Sequence, residues 1–335
     1  MPQLCAYVTS KNANIIYQYK VNGNGILQAM PQPEVSAELP VSLTLLPGGK
    51  HAYVMNDRPK THLEGALTLY SLNAQGVLQS DDYKVHPGKE SCAMTIGEGG
   101  KYAYVVSPSD NALVSYQVDT DGHLVLISSQ VRTQDYPVTV IAEPIGKYLY
   151  TINYEDNSLS QFRRDGAGRP TPLSPSYVNT GANPTAAVLH QLGQHLYVVN
   201  AGDATVSHYS IGKDGQLSSS PSPVATGQSP ADIAIVPSGK FAYVTNFGSG
   251  TISQYSLGPD GSMTPLKHSF ISVEEEPNSI AMHPDGTFVY VTHTKGNFIS
   301  QFKVGSDGAL SSLSPATIPV NHVPETITVG TILGV

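Results

Sequence analysis

Few side chains in this sequence combine a chemically useful type with a place that a small molecule can reach. Glu325 directly follows Pro324, His322 stands two residues before that proline, and His293 takes the place that asparagine holds in four other segments, at Asn56, Asn153, Asn200 and Asn246. A carboxylate with one or two imidazoles is an acid/base group, because a neutral imidazole, with an ordinary pKa of about 6.5, can take a proton from water. Asp232 is a further carboxylate near a proline, where comparable segments carry small or apolar residues such as Val41 and Val138. Such a carboxylate faces either a ligand or channel water, and Asp232 joins Glu325, His293 and His322 as a candidate. Asn278 follows Pro277 in the same way, and Glu90 lies in the stretch HPGKES where a proline is lost. The loop NDRPKTHLEG, Asn56 to Gly65, brings Arg58, Lys60, His62 and Glu64 together, as a lid that contacts an anionic substrate or as a solvated loop.

These residues share a location only through an internal repeat. Tyr7, Tyr53, Tyr104, Tyr150, Tyr197, Tyr243 and Tyr290 recur in similar wording, typified by YVTNFGSGTISQYS, at intervals of 46, 51, 46, 47, 46 and 47. An aromatic residue follows the anchor by twelve places, as at Tyr19, Tyr116, Phe162, Tyr209, Tyr255 and Phe302, and a turn glycine follows by eighteen. In the second copy both are displaced five places, to Tyr70 and Gly76. A period near 45 that holds several short strands and Gly-rich turns is that of a propeller blade. The expected fold is all-β: one seven-bladed β-propeller over residues 1–335, with four-stranded antiparallel blades. The first blade lacks its first strand, and Pro324 followed by a strand-like stretch supplies it, so the N- and C-terminal strands pair and close the ring.

In such a blade the proline-bearing connections and the loops after the Tyr strand emerge on one face, around the central channel, and the AspGly turns emerge on the other. Residues at the repeat's consensus serve folding. The four repeated asparagines are expected to cap loop backbone, since a short amide bonds readily to nearby main chain. His51, His190, His195, His208 and His283 fall on strands or far-face turns, outside the candidate site, and Glu274 to Glu276 reads as a solvated acidic run.

Composition narrows the classes. The 335 residues include 19 Tyr, 31 Gly and 25 Pro, carry a net charge of -8 and show no basic run, which argues against nucleic-acid or anionic-membrane surfaces. Cys5 and Cys92 are far apart and lack metal or redox spacing, so buried free thiols are expected. Nucleophile-elbow, Walker, zinc-helix and calcium-loop motifs are absent from the sequence, and no metal or cofactor is expected. No membrane segment or leader stands in the chain as written, which reads as a cytoplasmic monomer, or as an exported protein if a leader has been removed.

The phrases AYVTNFGSGTIS, AYVVSPSDNALVSYQVDTDGHL and HPDGTFVYVTH resemble the seven-bladed lactonase propeller family and the related YVTN-repeat proteins. The resemblance runs repeat by repeat along the whole chain. It implies hydrolysis of a sugar lactone, as in 6-phosphogluconolactonases, or formation of a muconate lactone, as in a fungal branch; other members have no established activity. It also implies an Arg-His pair after a blade proline and a Glu directly after a blade Asn. Here Pro230 is followed by Ala231 and Asp232, Pro277 by Asn278 and Ser279, and Asn153 by Tyr154 before Glu155. Two functions are therefore expected. One is a lactonase-like enzyme that hydrolyses or forms a small lactone by metal-independent acid/base catalysis. The other is a non-catalytic propeller that binds a small molecule or a protein partner.

Overall fold

The computed structural model describes residues 2–57, 65–143, 146–220, 222–274 and 276–333. Among them the chain forms seven antiparallel sheets, one per repeat, whose innermost strands contact one another around a ring. Blade six is representative, with strands Pro230–Ile235, Phe241–Asn246, Thr251–Leu257 and Met263–Ser272 pairing in that order. The blade proline opens the innermost strand, where its missing N–H removes no ladder donor. Blade five differs in its outer edge, which splits into Leu217–Ser219 and Val224–Ala225, both paired with Thr205–Ile211.

The ring closes as expected. Ile327–Ile332 pairs antiparallel with Gln3–Ser10, in a register that sets Val8 against Ile327 and Gln3 against Ile332. Two further backbone bonds extend this ladder to the proline, from Thr9 N to the Thr326 carbonyl (3.0 Å) and from Glu325 N to the Thr9 carbonyl (2.8 Å). The terminal strand thereby becomes the innermost strand of blade one and leaves no open edge at the seam.

The apolar core lies between blades. Each of seven buried clusters joins the anchor tyrosine of one blade to the repeat aromatic of the next blade, which stands twelve places after its own anchor except for the displaced Tyr70. Tyr243 thus packs in one cluster with Phe302, and Tyr290 packs with Tyr19 across the seam. The anchor also makes a directional bond. The hydroxyls of Tyr7, Tyr150, Tyr197, Tyr243 and Tyr290 donate to the carbonyls of Gly76, Gly215, Gly261, Gly308 and Gly25, each in the following blade, at 2.5 to 2.9 Å. Tyr53 donates likewise to Gly122. The receiving glycine is constrained twice. Gly25 has φ +77, and a Cβ there would collide with the Phe288 ring, so conformation and space both exclude a side chain.

A second staple runs parallel to the first. The side-chain carbonyls of Gln18, Gln161, Gln254 and Gln301 accept from the N–H of Leu78, Leu217, Leu310 and Leu27 in the next blade, at 2.7 to 2.8 Å. Their amide nitrogens donate to carbonyls of their own outer strands, so one side chain fixes both sheets.

Blade three breaks the tyrosine rule, because the buried Tyr104 hydroxyl has no partner among the described residues. This generates a matched pair of variants. Tyr290→Phe should cost about 1–3 kcal/mol, since it strands the Gly25 carbonyl, whereas Tyr104→Phe should cost nothing or stabilise slightly. Urea unfolding of the two proteins checks this, and equal losses would contradict it. Deleting residues 324–335 reopens the seam and should lower the melting temperature of the whole ring, as read by calorimetry.

Candidate functional site

Polar groups on the first two strands of the blades, and on the connections that enter them, link neighbouring blades at the inner wall. Thr139 Oγ1 donates to the Thr185 carbonyl and Thr185 Oγ1 to the Pro230 carbonyl, both at 3.4 Å. Thr245 Oγ1 donates to the Asn278 carbonyl (2.7 Å), Thr292 Oγ1 to the Glu325 carbonyl (2.9 Å) and Thr326 Oγ1 to the Val41 carbonyl (3.1 Å). The Cys92 thiol donates to the Val138 carbonyl at 3.4 Å. Among the described residues, six of the seven junctions thus carry a side-chain bond to the next inner strand or the connection that enters it.

Two of the expected ligand-facing groups belong to this belt. Asp232 Oδ2 accepts from Ser279 Oγ (3.1 Å) and Ile280 N (3.0 Å) of blade seven, while Oδ1 accepts from Ile233 N (2.8 Å). Burial raises its pKa above the ordinary carboxylate value, and these three donors pull the other way. Asn278 Nδ2 donates to the Glu325 carbonyl at 3.0 Å. Asp232 and Asn278 therefore fasten blade six to seven and blade seven to one.

Glu325 is held differently. Its backbone is fixed from two sides, by the Thr9 carbonyl and by the Asn278 and Thr292 donors. Its partly buried carboxylate receives no hydrogen bond among the described residues. Burial pushes its pKa up, and the positive charge of Lys11 opposes the rise. Lys11 in turn forms an ion pair with Asp57 of blade two at 2.5 Å. An ionised carboxylate without donors, beside a cation, is the arrangement of a base that can take a proton from a bound water.

The expected grouping of Glu325 with His293 and His322 at the channel mouth is not formed. His293 is fully buried and bonded at both ring nitrogens, Nδ1 to the Glu274 carbonyl (3.0 Å) and Nε2 to Ser300 Oγ (2.9 Å), and its ring stacks on Phe298. The repeat explains this. Asn153, Asn200 and Asn246 donate from Nδ2 to the hydroxyls of Ser160, Ser207 and Ser253, seven places on, at 2.9 to 3.0 Å. An imidazole reaches the same hydroxyl, so His293 does the asparagine's work. His322 is exposed, and its backbone N–H donates to the Tyr17 hydroxyl at 2.9 Å.

Glu90 has left-handed backbone, φ +56, and its carboxylate accepts from the Ser109 hydroxyl of its own blade. It lies near enough to Cys92 that, after burial, the charges of Asp57 and Glu90 help push that thiol up to about 12. Arg58, Lys60, His62 and Glu64 lie outside the described residues. Among the described residues no three His, Cys, Asp or Glu side chains converge to hold a metal ion. A separate groove of about 790 Å³ opens between the loops of blades six and seven, lined by Phe247, Glu274, Glu276 and Phe298 among others, and none of the acid/base candidates lines it.

Lys11 was not singled out from the sequence, although a signal existed. Lys11 and Asp57 stand four places after their anchors Tyr7 and Tyr53, so opposite charges occupy one repeat position in adjacent blades.

Comparison with known proteins places this geometry in context. The family model described as Lactonase, 7-bladed beta-propeller, matches residues 94–186 and 173–279. No curated protein sequence matches the chain. Among solved structures, a periplasmic gluconolactonase of Pseudomonas aeruginosa superposes with a TM-score of 0.86 at 19% identity, covering 99% of both chains. A candidate 6-phosphogluconolactonase of Bacteroides fragilis gives 0.85 at 20% identity, covering 98% of both. A protein from Lactobacillus plantarum gives 0.84 at 18%, covering 98% of this chain and all of that one. At these identities the likeness is one of fold.

The reading of His293 as a loop staple is testable. His293→Asn should leave stability within about 1 kcal/mol of the parent, and His293→Ala should cost about 2–4 kcal/mol by stranding the buried Ser300 hydroxyl and opening a cavity. Denaturant unfolding separates the two outcomes.

Proposed function

The chain belongs to the seven-bladed β-propeller lactonase family, and on that premise we propose that it hydrolyses a small lactone at the channel mouth, with Glu325 as general base. The observation that carries this reading is the Glu325 carboxylate, partly buried, without hydrogen-bond donors and beside Lys11. In the proposed reaction the ionised carboxylate takes a proton from water as its oxygen adds to the lactone carbonyl. Lys11 offsets the charge that develops on the carbonyl oxygen. Collapse of the adduct breaks the ring C–O bond, and the leaving alkoxide takes the proton back from Glu325 to give the hydroxy acid. The gluconolactonase descriptions of the structural neighbours support a sugar lactone as the first substrates to try.

A second reading, a propeller that binds without turnover, is favoured by a different observation. The residues after Pro230 and Pro277, where the family resemblance implies an Arg-His pair, fasten blades together, and Glu325 is not among the residues that line the groove beside Phe247. Ligand-dependent thermal stabilisation without product in a lactone panel would select that reading.

Glu325→Gln tests the first one. Lactone opening should fall by roughly 10²–10⁴-fold, the range for loss of a general base. In the parent, activity should rise with pH through a midpoint above the carboxylate's ordinary value of 4.5, because only the ionised form accepts a proton and its pKa is raised. Stability should move oppositely. A group whose folded pKa is raised favours the fold in its protonated form, and that contribution is lost as pH rises through the folded pKa. The Gln variant should therefore melt above the parent at pH 7 and no higher at pH 4. An active variant, or one whose melting difference is independent of pH, would overturn this assignment.

A further inference from the structure

Three imidazoles of blade five lie together on the rim opposite the candidate site, where the AspGly turns emerge. His195 and His208 approach at 3.0 Å between Nδ1 and Nε2, with ring centroids 5.0 Å apart, and His190 meets His195 edge-on at 6.0 Å. They are packed against blade six. The His190 Nε2 nitrogen bonds to the Gly239 carbonyl at 3.2 Å, and the Pro259 carbonyl accepts from His195. The turn glycine Gly261 sits directly on the His195–His208 pair, so that a Cβ there would collide with both rings. Tyr197 completes the contact: its ring stacks on His208 at 5.1 Å while its hydroxyl donates to the Gly261 carbonyl.

We propose that this cluster is an acid-sensitive clasp between blades five and six, which holds the turn Gly258–Ser262 while the imidazoles are neutral and releases it when they are protonated. A nitrogen-to-nitrogen hydrogen bond needs one ring nitrogen with a proton and one without. Protonating the acceptor sets two N–H groups against each other at 3.0 Å and places two positive rings in contact. The other titratable groups that face the pair are His190, which adds to the repulsion, Tyr197, which is neutral throughout this range, and the exposed Asp260, whose charge favours protonation. Burial is the larger influence on both rings, and with the neighbouring imidazole it lowers both pKa values below the ordinary 6.5. A lowered histidine pKa means that the released chain binds protons which the clasp refuses. The stabilisation is present above about pH 6.5 and lost as pH falls below it.

Hydrogen exchange followed by mass spectrometry at pH 7.5 and 5.5, corrected for the intrinsic pH dependence of exchange, tests this on the whole protein. Protection of the Gly258–Ser262 turn should fall several-fold at the lower pH, because the released imidazoles bind protons that the clasp disfavours. The corresponding turns at Gly25 and Gly308, which rest on Phe288 and Phe241, should not change. The double substitution His195→Asn with His208→Gln keeps an amide-to-amide bond that does not titrate, and should remove the pH effect. An equal loss at all three turns, or an unchanged effect in the double variant, overturns the proposal. Should that variant not fold, ¹⁵N NMR titration of the parent's imidazoles decides: two histidines titrating below 6.5 support the clasp, and titration at or above 6.5 overturns it.

Discussion

The ring depends on one contact made again and again, the burial of an anchor tyrosine against the next blade with its hydroxyl donating to that blade's turn-glycine carbonyl. Neither blade can make this contact alone. The tyrosine ring contributes on the order of 2 kcal/mol by burial at each junction, and the bond about 1 kcal/mol more at every junction except that of Tyr104. The contact also dictates sequence far from itself: a glycine at the receiving turn, an aromatic twelve places after the anchor in six of the seven copies, and in several blades a ring such as Phe288 or Tyr148 beneath the glycine. Because the first and last strands share one sheet, the set is closed, and every junction bears on its neighbours.

Closure determines what the inner ends of the blades can do. Seven innermost strands converge on the ring's centre, and most polar groups there are consumed in fastening one strand to the next. Asp232 shows how complete this can be, with three donors on a carboxylate that burial disfavours. Glu325 lies on the same belt, but its backbone does the fastening and leaves the carboxylate without donors. That separation of roles, backbone for structure and side chain for chemistry, distinguishes it from the other acidic groups of the inner wall. Burial disfavours the charged form of this carboxylate, so its ionisation opposes folding, and the bonded backbone on either side holds it in place.

Much of the architecture was legible in the sequence because its causes repeat. A tyrosine, an aromatic and a glycine at offsets that hold in six of seven copies, with one common displacement in the second, arise from one packing rule. The asparagines were expected to cap loop backbone, but their amide nitrogens bond mainly to Ser and Thr hydroxyls of the next strand, a choice of partner that the repeat does not encode. Repetition also had a blind spot. The glutamine staples at Gln18, Gln161, Gln254 and Gln301 follow their anchors by eleven places, yet a polar residue on a strand carries no mark of whether it faces solvent or the next blade. His293 was misread in the opposite direction. It departs from the repeat in residue type but not in role, since imidazole and amide can both reach a hydroxyl seven places away.

The sequence by itself determined the number of blades, their strand order, the closing of the ring by the two ends and the membership of the inner wall, because each follows from periodicity and local backbone chemistry. Only the tertiary structure decided which polar residues of that wall are free to act. Whether Asp232 meets Ser279, Lys11 meets Asp57 or His208 meets His195 depends on side chains brought together across blade boundaries or between neighbouring strands. The protonation and bonding of a carboxylate or an imidazole are set by burial and by partners within hydrogen-bonding distance, and no spacing along the chain encodes those distances.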